Sequence, residues 1–368
     1  MRTPQPEINP RGAVDPRFWE GRKVLVTGHT GFKGGWLCIW LAQMGAEVFG
    51  YALPPEHPDQ IFTSLGLPAR LGGSLHHRIG DVRDLDALTQ AVRAARPEII
   101  FHMAAQPLVR RSYHMPVETF AINAQGTVHL LDAARACGGV GAIVIITTDK
   151  VYENTGGDQA YTEDDRLGGH DPYSASKAMA ELAVAAWRRS FFSEGGPAIA
   201  TARAGNVIGG GDWSEDRLIA DAMRAWRADA ELILRNPRAT RPWQHVSDPL
   251  RGYLVLAQAL AVDGARYGQA WNFGPEINSA CDVQGVIERL AAPMRAHDFR
   301  ARWRGDPPKD QPFEAARLEL DCSKAREELH WRPRHGLDAA LSLTAEWYCA
   351  QISGASAQAL FDLTLEQI

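Results

Sequence analysis

Two residues near the middle of the chain have the types and the spacing of a proton-transfer pair. Tyr173 and Lys177 stand four positions apart, after Asp171 and Pro172, which favour a helix start. A spacing of four places both side chains on one face of a helix. A nearby ammonium favours the phenolate of a tyrosine, whose pKa is ordinarily about 10, so Tyr173 could accept a proton from a hydroxyl group. The pair alone is a weak signal, because such pairs usually lie on helix surfaces.

A second polar group stands where an apolar segment, residues 142–147, is expected to form a buried strand. Thr147, Thr148, Asp149 and Lys150 mark its carboxyl end. Ligands of parallel sheets bind at that edge. An acid and an amine there supply proton transfers that a simple dehydrogenase does not need. The alternative is a polar strand end carrying an Asp–Lys surface pair.

A glycine-rich loop follows the predicted strand at residues 23–27 and precedes a predicted helix. Glycines allow backbone amides to approach a pyrophosphate, and the helix N-terminus adds partial positive charge. The alternative is a tight turn that binds nothing. We predict that a dinucleotide is bound by Gly28, His29, Thr30, Gly31, Phe32, Lys33 and Gly34.

The choice between NAD and NADP does not follow from the residues after the second predicted strand, 47–51. Residues 51–54 contain neither the acid that binds a ribose hydroxyl nor an arginine for a 2′-phosphate. Asp81 follows the third predicted strand. It is interpreted either as an adenine contact or as a helix N-cap.

The scaffold that these groups require is predicted by strands that alternate with helices from residue 23 to residue 204. This pattern indicates an α/β fold, a Rossmann-type doubly wound parallel sheet, with a smaller mixed α/β C-terminal lobe for a nucleotide sugar. We predict a flexible tail over residues 1–17, a dinucleotide-binding domain over 18–205 whose sheet also receives segments near 240–275, and a mainly substrate-binding lobe over 206–368, interleaved with the first domain.

Composition excludes several classes of protein. The 368 residues carry a net charge of -5, which argues against a nucleic-acid partner. No stretch of 18 apolar residues occurs, so no membrane segment is expected. The five cysteines are odd in number and contain no Cys-x-x-Cys pair, which is typical of reduced thiols in the cytoplasm. No ligand cluster has zinc spacing, and we expect no metal.

Eight segments of the chain resemble the extended short-chain dehydrogenase/reductase family, and within it the nucleotide-sugar 4,6-dehydratases. The resemblance runs from about residue 18 to about residue 333. Thr-Asp-Lys stands here where the dTDP-glucose and GDP-mannose branches carry Thr-Asp-Glu. The segments are VTGHTGFKGGWL (26–37), AAQPLVRRSY (104–113), TTDKVYEN (147–154), DPYSASKAMAE (171–181), ARAGNVIGGGDWSEDRL (202–218), RNPRATRPWQHVSDPL (235–250), WNFGP (271–275) and LDCSKAREELHW (320–331).

The resemblance implies a tightly held NAD and a CDP-sugar substrate, CDP-glucose in particular. Tyr173 would deprotonate the sugar 4-hydroxyl, Thr148 would bind the 4-oxygen, and Asp149 would protonate the departing 6-hydroxyl. Lys150 would either take the C5 proton or stabilise the enolate, and these alternatives stay open. Besides the glycine loop, the cofactor would contact Asp81, Val82, Ala104, Ala105, Thr147, Tyr173 and Lys177.

Arginines crowd the second half of this acidic chain, and guanidinium groups suit a diphosphate. For any one arginine the alternative is an exposed ion pair. Trp243 either walls the base or belongs to the core. The candidate substrate contacts are Ser112, Tyr113, Arg203, Asn206, Arg217, Arg241 and Trp243.

The resemblance also implies a homodimer, or a tetramer, packed through helices near 116–137 and 173–193. Two other functions use part of the same residues. A 4-epimerase or simple dehydrogenase would need the loop and the Tyr–Lys pair but no acid for a leaving group. An NAD-sensing binding protein would need only the loop.

Overall fold

The computed structural model describes residues 12–157, 160–193, 195–277, 279, 281–306 and 317–368. Its centre is a seven-stranded sheet. The strands of the described residues, within and outside this sheet, are β1 (Lys23–Thr27), β2 (Glu47–Ala52), β3 (Leu75–Ile79), β4 (Ile99–His102), β5 (Ala142–Ile146), β6 (Ala198–Ala204), β7 (Val207–Ile208), β8 (Leu232–Leu234), β9 (Thr240–Arg241), β10 (Gln244–His245), β11 (Ala270–Phe273), β12 (Cys281–Asp282) and β13 (Trp303–Gly305). The strand order in the central sheet is β11-β6-β5-β4-β1-β2-β3.

Some of the helices cover both faces of this sheet, and the others belong to the smaller lobe. The helices are α1 (Pro16–Trp19), α2 (Phe32–Gln43), α3 (Ile61–Ser64), α4 (Leu67–Leu71), α5 (Leu85–Ala95), α6 (Val109–His114), α7 (Pro116–Phe120), α8 (Gly126–Cys137), α9 (Pro172–Ser190), α10 (Leu218–Arg227), α11 (Ser247–Val262), α12 (Gly264–Tyr267), α13 (Val283–Ala296), α14 (Ser323–Glu328), α15 (Leu337–Ile352) and α16 (Ala357–Glu366).

All strand pairs of the central sheet are parallel. The strand order reverses between β1 and β4, which opens a crevice at the carboxyl ends of these two strands. Alternate residues of one strand face opposite layers. Val24 and Val26 therefore join the apolar cluster that contains α2 and α11, whereas Leu25 joins the cluster that contains α5 and α8. This arrangement confirms the predicted doubly wound α/β fold.

Two-stranded sheets β7–β10, β9–β12 and β8–β13 build the smaller lobe, together with α10, α13, α15 and α16. Between these lobe elements the chain returns once to the central sheet, because β11 pairs with β6 at the edge of that sheet. Of the segments near 240–275, β11 joins that sheet, whereas β9 and β10 pair within the lobe.

The N-terminal region differs from the predicted tail over its last residues. Asp15 accepts a hydrogen bond from the Arg17 amide and caps α1. Trp19 is fully buried and donates to the Gln258 side chain. Residues 12–17 therefore belong to the folded body, and residues 1–11 of the predicted tail lie outside the described residues. Across the described ranges, no helix combines the length and the apolarity that crossing a membrane requires.

Candidate active site

A cavity of about 620 Å³ lies along the carboxyl edge of the sheet and extends into the smaller lobe. It brings together most of the residues that sequence reasoning selected. Its lining includes Gly28, Thr30, Gly31, Phe32, Lys33, Gly34, Asp81, Val82, Ala104, Ala105, Thr147, Thr148, Asp149, Lys150, Tyr173, Lys177, Asn206, Arg217, Arg241 and Trp243. Four selected residues, His29, Ser112, Tyr113 and Arg203, are absent from this lining.

The glycine loop has the shape that a pyrophosphate needs. Gly28 adopts a φ of +76°, and a Cβ there would lie 2.7 Å from the backbone nitrogen of Ala104. A Cβ on Gly34 would lie 2.2 Å from the Gly28 carbonyl oxygen. Helix α2 begins at Phe32, so its free amides face the loop. The residues present therefore fit a dinucleotide bound at a helix N-terminus.

His29 is the exception within this loop. Its ring is fully buried, its Nε2 lies 2.6 Å from Nδ1 of His77, and it packs edge-on against Phe62. Burial, with the charge of His77, lowers the pKa of His29 to about 3. The side chain is therefore a neutral packing group beneath the loop, so only the backbone of His29 remains for the predicted contact with the dinucleotide.

Asp81 lines the cavity but caps no helix. The N-cap of α5 is Asp84, which accepts a hydrogen bond from the Ala87 amide. Asp81 instead pairs with Arg83 at 2.6 Å, and hydrogen bonding to Arg83 lowers the pKa of its carboxyl. The N-cap interpretation is wrong, and the adenine contact stays a prediction.

Lys33 extends from the loop toward the reacting groups. Its Nζ donates to the Tyr253 hydroxyl at 3.4 Å. Burial, together with the charges of Lys177 and Arg217, lowers the pKa of Lys33 to about 7, and the charge of Asp149 opposes this shift. Lys33 therefore belongs electrostatically to the same site as the Tyr–Lys pair, which the loop motif did not indicate.

Helix α9 carries Tyr173 and Lys177 into the cavity. Asp171 caps the helix by accepting from the Ser174 amide, and Pro172 occupies its first turn, as predicted. Lys177 Nζ donates to the Ile146 carbonyl at 3.0 Å. Burial lowers the pKa of Lys177 to about 8, and the charge of Glu181 opposes this shift.

The pKa of Tyr173 differs from the expectation that a nearby ammonium favours its phenolate. Burial raises the pKa of its phenol, whereas a hydrogen bond with Thr148 and the charge of Arg217 oppose this rise. The nearby charge of Asp149 raises the pKa further. A phenolate at this position therefore depends on additional positive charge, such as that of an oxidised nicotinamide ring.

The Thr148-Asp149-Lys150 segment begins a short 3₁₀ turn, Asp149–Val151, after β5. Asp149 Oδ1 accepts from the Thr148 hydroxyl at 2.9 Å. Asp149 Oδ2 is buried and has no hydrogen-bond partner among the described residues. A buried carboxylate oxygen that lines a cavity in this state fits a hydroxyl group of a bound ligand.

Arg203 does not face the cavity, and its predicted substrate contact is wrong. Its guanidinium is buried in an ion pair with Glu181, with Nε 2.9 Å from Oε1. Ser112 is also buried, and it accepts a hydrogen bond from the Tyr173 amide. Ser112 therefore supports the start of α9, and the cavity lining includes neither it nor Tyr113.

The lobe contributes the other end of the cavity. Arg241 is buried, and its Nη1 donates to the Thr240 carbonyl at 2.9 Å. Trp243 is buried too and donates to the Cys281 carbonyl, so it is both a core residue and part of the wall. Asn206 and Arg217 line the same end.

Sequence reasoning missed part of this wall. Residues 232–236, which include β8, line the cavity. Asp216, with a φ of +57°, lines it as well and accepts hydrogen bonds from Arg110 and Arg235. No motif marks β8. Asp216 lies within the segment 202–218, but its place in the wall depends on how the lobe folds over the sheet. The described residues contain no cluster of three or more side chains that could hold a metal ion.

Comparisons with known proteins agree with this geometry. Residues 25–344 match the family model described as GDP-mannose 4,6 dehydratase. The chain is 46% identical over 346 residues to CDP-glucose 4,6-dehydratase of Salmonella typhimurium, covering 93% of this chain and 94% of that protein.

Two solved structures are also similar. A dTDP-glucose 4,6-dehydratase from Streptomyces venezuelae, solved with NAD bound, has a TM-score of 0.74 and 26% identity, covering 90% of this chain and 98% of that one. An epimerase from Methanothermobacter thermautotrophicus has a TM-score of 0.75 at 23% identity, covering 93% and 97%, and shows the fold alone.

The chain belongs to the GDP-mannose 4,6-dehydratase family, a group of the short-chain dehydrogenase/reductase type. The family assignment expected from the sequence motifs is confirmed. Because an epimerase shares the fold, the reaction must be argued from the site rather than from the architecture.

Proposed function

We propose that this protein is an NAD-dependent hydro-lyase that converts CDP-glucose to CDP-4-keto-6-deoxyglucose and water. The observation that carries the proposal is the meeting, in one cavity, of the glycine loop, the Tyr173–Lys177 pair and the Thr148-Asp149-Lys150 segment. The similarity to CDP-glucose 4,6-dehydratase of Salmonella typhimurium supports the choice of nucleotide and sugar.

NAD, when bound at the glycine loop, supplies a hydride acceptor at C4 and returns the hydride at C6, so the overall reaction is redox-neutral. Tyr173 accepts the proton of the 4-hydroxyl group, and Lys177, one helical turn away on α9, is the proposed cation that favours its phenolate. The Thr148 hydroxyl, which is hydrogen-bonded to Tyr173, binds the resulting 4-oxygen.

Water is lost from a 4-keto sugar whose C5 proton has become acidic. Asp149 donates a proton to the 6-hydroxyl as the C6–O bond breaks, and its buried Oδ2 is the oxygen available to that hydroxyl. Lys150 removes the C5 proton. Because lysine stands here in place of glutamate, the group that accepts this proton is a neutral amine. Asn206, Arg217 and Arg241 bind the nucleotide diphosphate at the lobe end.

A 4-epimerase is the competing reaction on this fold. Epimerisation moves a hydride off and onto C4 and needs no acid at C6. Asp149, with an unpartnered oxygen in the cavity, has no role in that reaction. The same oxygen disfavours a protein that only senses NAD.

The test is incubation of the protein with NAD and CDP-glucose, followed by the alkaline absorbance of a 4-keto sugar and by chromatography of the nucleotide products. The dTDP-, GDP- and UDP-sugars serve as matched substrates. We expect a 4-keto-6-deoxy product from CDP-glucose. Formation of CDP-galactose without a keto product would establish the epimerase instead, and faster turnover of another nucleotide would correct the substrate.

Lys150→Ala tests the C5 base separately. In deuterium oxide, the native protein should incorporate deuterium at C5, and the variant should lose both incorporation and turnover. Exchange and turnover at native rates in the variant would exclude Lys150 as the base. Asp149→Asn is the companion variant, and it should oxidise C4 but eliminate water slowly.

We also propose that the chain forms a homodimer in the cytoplasm. Val117 on α7 and Leu182 on α9 are 82% and 60% exposed, and these two helices pack against each other. Met179 lies three residues before Leu182 on α9 and is exposed as well, as is Met115 directly before α7. Such a surface favours a protein partner, and a second copy of the chain fits the resemblance. Free thiols at Cys38 and the other four cysteines fit a reducing compartment.

A further inference from the structure

A buried ion pair lies beneath the cavity, one helical turn beyond Lys177. The Glu181 carboxylate accepts four hydrogen bonds: from Thr147 Oγ1 at 2.6 Å, Thr201 Oγ1 at 2.6 Å, Arg203 Nε at 2.9 Å and Arg203 Nη2 at 3.0 Å. The side chains of Arg203 and Glu181 are only 3% and 4% exposed. Neither residue lines the cavity.

Arg203 connects this pair to a second part of the chain. Its Nη1 donates to the Tyr152 hydroxyl at 2.8 Å and to the Glu163 carbonyl at 3.1 Å. The Tyr152 hydroxyl in turn donates to Asn272 Oδ1 on β11 at 2.7 Å. The guanidinium also lies over the Tyr152 ring, 4.9 Å from its centroid.

The residues that bind the Glu181–Arg203 pair flank the Thr148-Asp149-Lys150 segment on both sides. Thr147 immediately precedes the Thr148-Asp149-Lys150 segment, and Tyr152 follows Lys150 by two residues. Both ends of the segment are therefore tied to one ion pair. Glu181 belongs to α9, the helix that carries Tyr173 and Lys177.

We propose that the Glu181–Arg203 pair is a positioning device that holds the Thr148-Asp149-Lys150 segment in register with Tyr173 and Lys177. The inference deepens the proposed function and rests on it. Two proton-transfer groups on different elements must serve neighbouring carbons of one sugar, and a shift of about 1 Å can cost about 100-fold in rate. Anchoring both elements to the same carboxylate removes the freedom that would produce such a shift.

Stability alone is a poor explanation of this pair. Burying two charges is expensive, and apolar residues of similar volume often replace a buried ion pair without loss of stability. The pair also compensates Lys177, because the carboxylate of Glu181 acts against the desolvation of that ammonium. Both carboxylate oxygens of Glu181 accept hydrogen bonds from residues outside α9.

The test compares two matched threonines. Thr147→Val and Thr201→Val each remove one 2.6 Å hydrogen bond to Glu181, but Thr147 leads into the reacting segment, whereas Thr201 lies within β6. We expect Thr147→Val to lower kcat by about tenfold or more with the KM for CDP-glucose nearly unchanged, measured at saturating NAD because Thr147 is also a predicted cofactor contact. Thr201→Val should keep kcat, and Thr147→Ser should restore it.

A readout independent of turnover accompanies the kinetics. Amide hydrogen exchange of the peptide that contains residues 147–152 should accelerate about fivefold in Thr147→Val and in Tyr152→Phe, which corresponds to one buried hydrogen bond. Thr201→Val should leave this peptide at its native rate. If the native protein turns over no CDP-glucose, the proposed function fails, and hydrogen exchange still decides whether the pair holds the segment.

Three outcomes would overturn the proposal: native kcat in Thr147→Val and Tyr152→Phe, equal losses in Thr147→Val and Thr201→Val, or unchanged exchange of residues 147–152. The double variant Glu181→Leu/Arg203→Met is the final check, because it removes the charges together. A folded double variant with native kcat would overturn the proposal as well. If that variant does not fold, the threonine comparison decides.

Discussion

Tyr173 is the proposed base of the reaction, and its surroundings in the chain oppose formation of the phenolate. Burial raises the pKa of Tyr173, whereas a hydrogen bond with Thr148 and the charge of Arg217 act against this rise. The positive charge of an oxidised nicotinamide ring would lower the pKa of the phenol. We therefore expect a bound cofactor to favour proton transfer to Tyr173.

Tyr173→Phe should lower kcat by about 10²- to 10⁴-fold, the usual contribution of a general base. NAD should still bind, because the glycine loop is untouched. Turnover of CDP-glucose and titration of NAD by tryptophan fluorescence measure the two effects. Tyr267→Phe is the control, since Tyr267 packs against Trp271 outside the cavity lining. Native turnover in Tyr173→Phe would refute the mechanism.

The pKa of Lys177 predicts the pH above which kcat/KM falls. Burial lowers this pKa to about 8, so the ammonium that we propose to favour the Tyr173 phenolate is present below that pH and is lost above it. We expect kcat/KM to fall as the pH rises through about 8, rather than through the ordinary lysine value of about 10.4. In Lys177→Arg, whatever activity remains should lose this limb. A profile that is level to about pH 10 would contradict the assignment.

Sequence reasoning at this scale selected candidate catalytic residues that line one cavity, but it did not identify all of their surroundings. Tyr173, Asp149 and Lys150 could be predicted because their spacing and their place at a strand end follow from backbone geometry. The surroundings of Arg203 could not be predicted, since an arginine that binds a diphosphate and one that pairs with a buried glutamate look alike in sequence. The partner that separates them, Glu181, is supplied by the tertiary fold. The packing of His29 against His77 could not be predicted either, because the two residues are 48 positions apart.

At the scale of elements, the join between β1 and α2 tolerates almost no added volume. A Cβ on Gly34 would lie 2.2 Å from the Gly28 carbonyl oxygen, within the loop that is to bind NAD. The helix can accept a larger residue only by moving away from the strand. Such a movement would widen the loop and misplace its amides.

Gly34→Ala should therefore destabilise the protein by about 1–3 kcal/mol and weaken NAD binding. Gly73→Ala is the matched control, because a Cβ on Gly73 would meet nothing within 4 Å. Denaturant unfolding and NAD titration of both variants measure the two effects. Equal behaviour of the two alanine variants would show that the close approach does not matter.

The central elements could be predicted because apolar strands and helix caps are local signals. β1, β5 and α9 lie where the pattern of residues indicated. The short strands of the lobe, such as β8 and β13, could not be predicted, since each is three residues long and its partner is about 70 residues away along the chain. The order of residues 12–17 could not be predicted for a related reason: the Asp15 amide donates to the Gln258 side chain, a contact that no local pattern reveals.

At the scale of the whole molecule, the exposed apolar surface on α7 and α9 predicts the state of association. Leu182→Arg should convert the dimer to a monomer, because a guanidinium would be buried without a partner in the interface. Sedimentation velocity measures the change. Ile277→Arg is the control at a residue of 40% exposure elsewhere on the chain. An unchanged mass for Leu182→Arg, or a monomeric native protein, would exclude this interface.

The return of β11 to the edge of the central sheet makes the two lobes inseparable in folding. A chain cut after residue 205 would retain six of the seven strands but would leave residues 201–204 of β6 without their outer neighbour. Unpaired, flat edges of this kind recruit other chains. The dinucleotide-binding half, expressed by itself, should therefore accumulate as aggregate, and soluble folding should reappear when the remainder of the sequence is supplied on the same polypeptide.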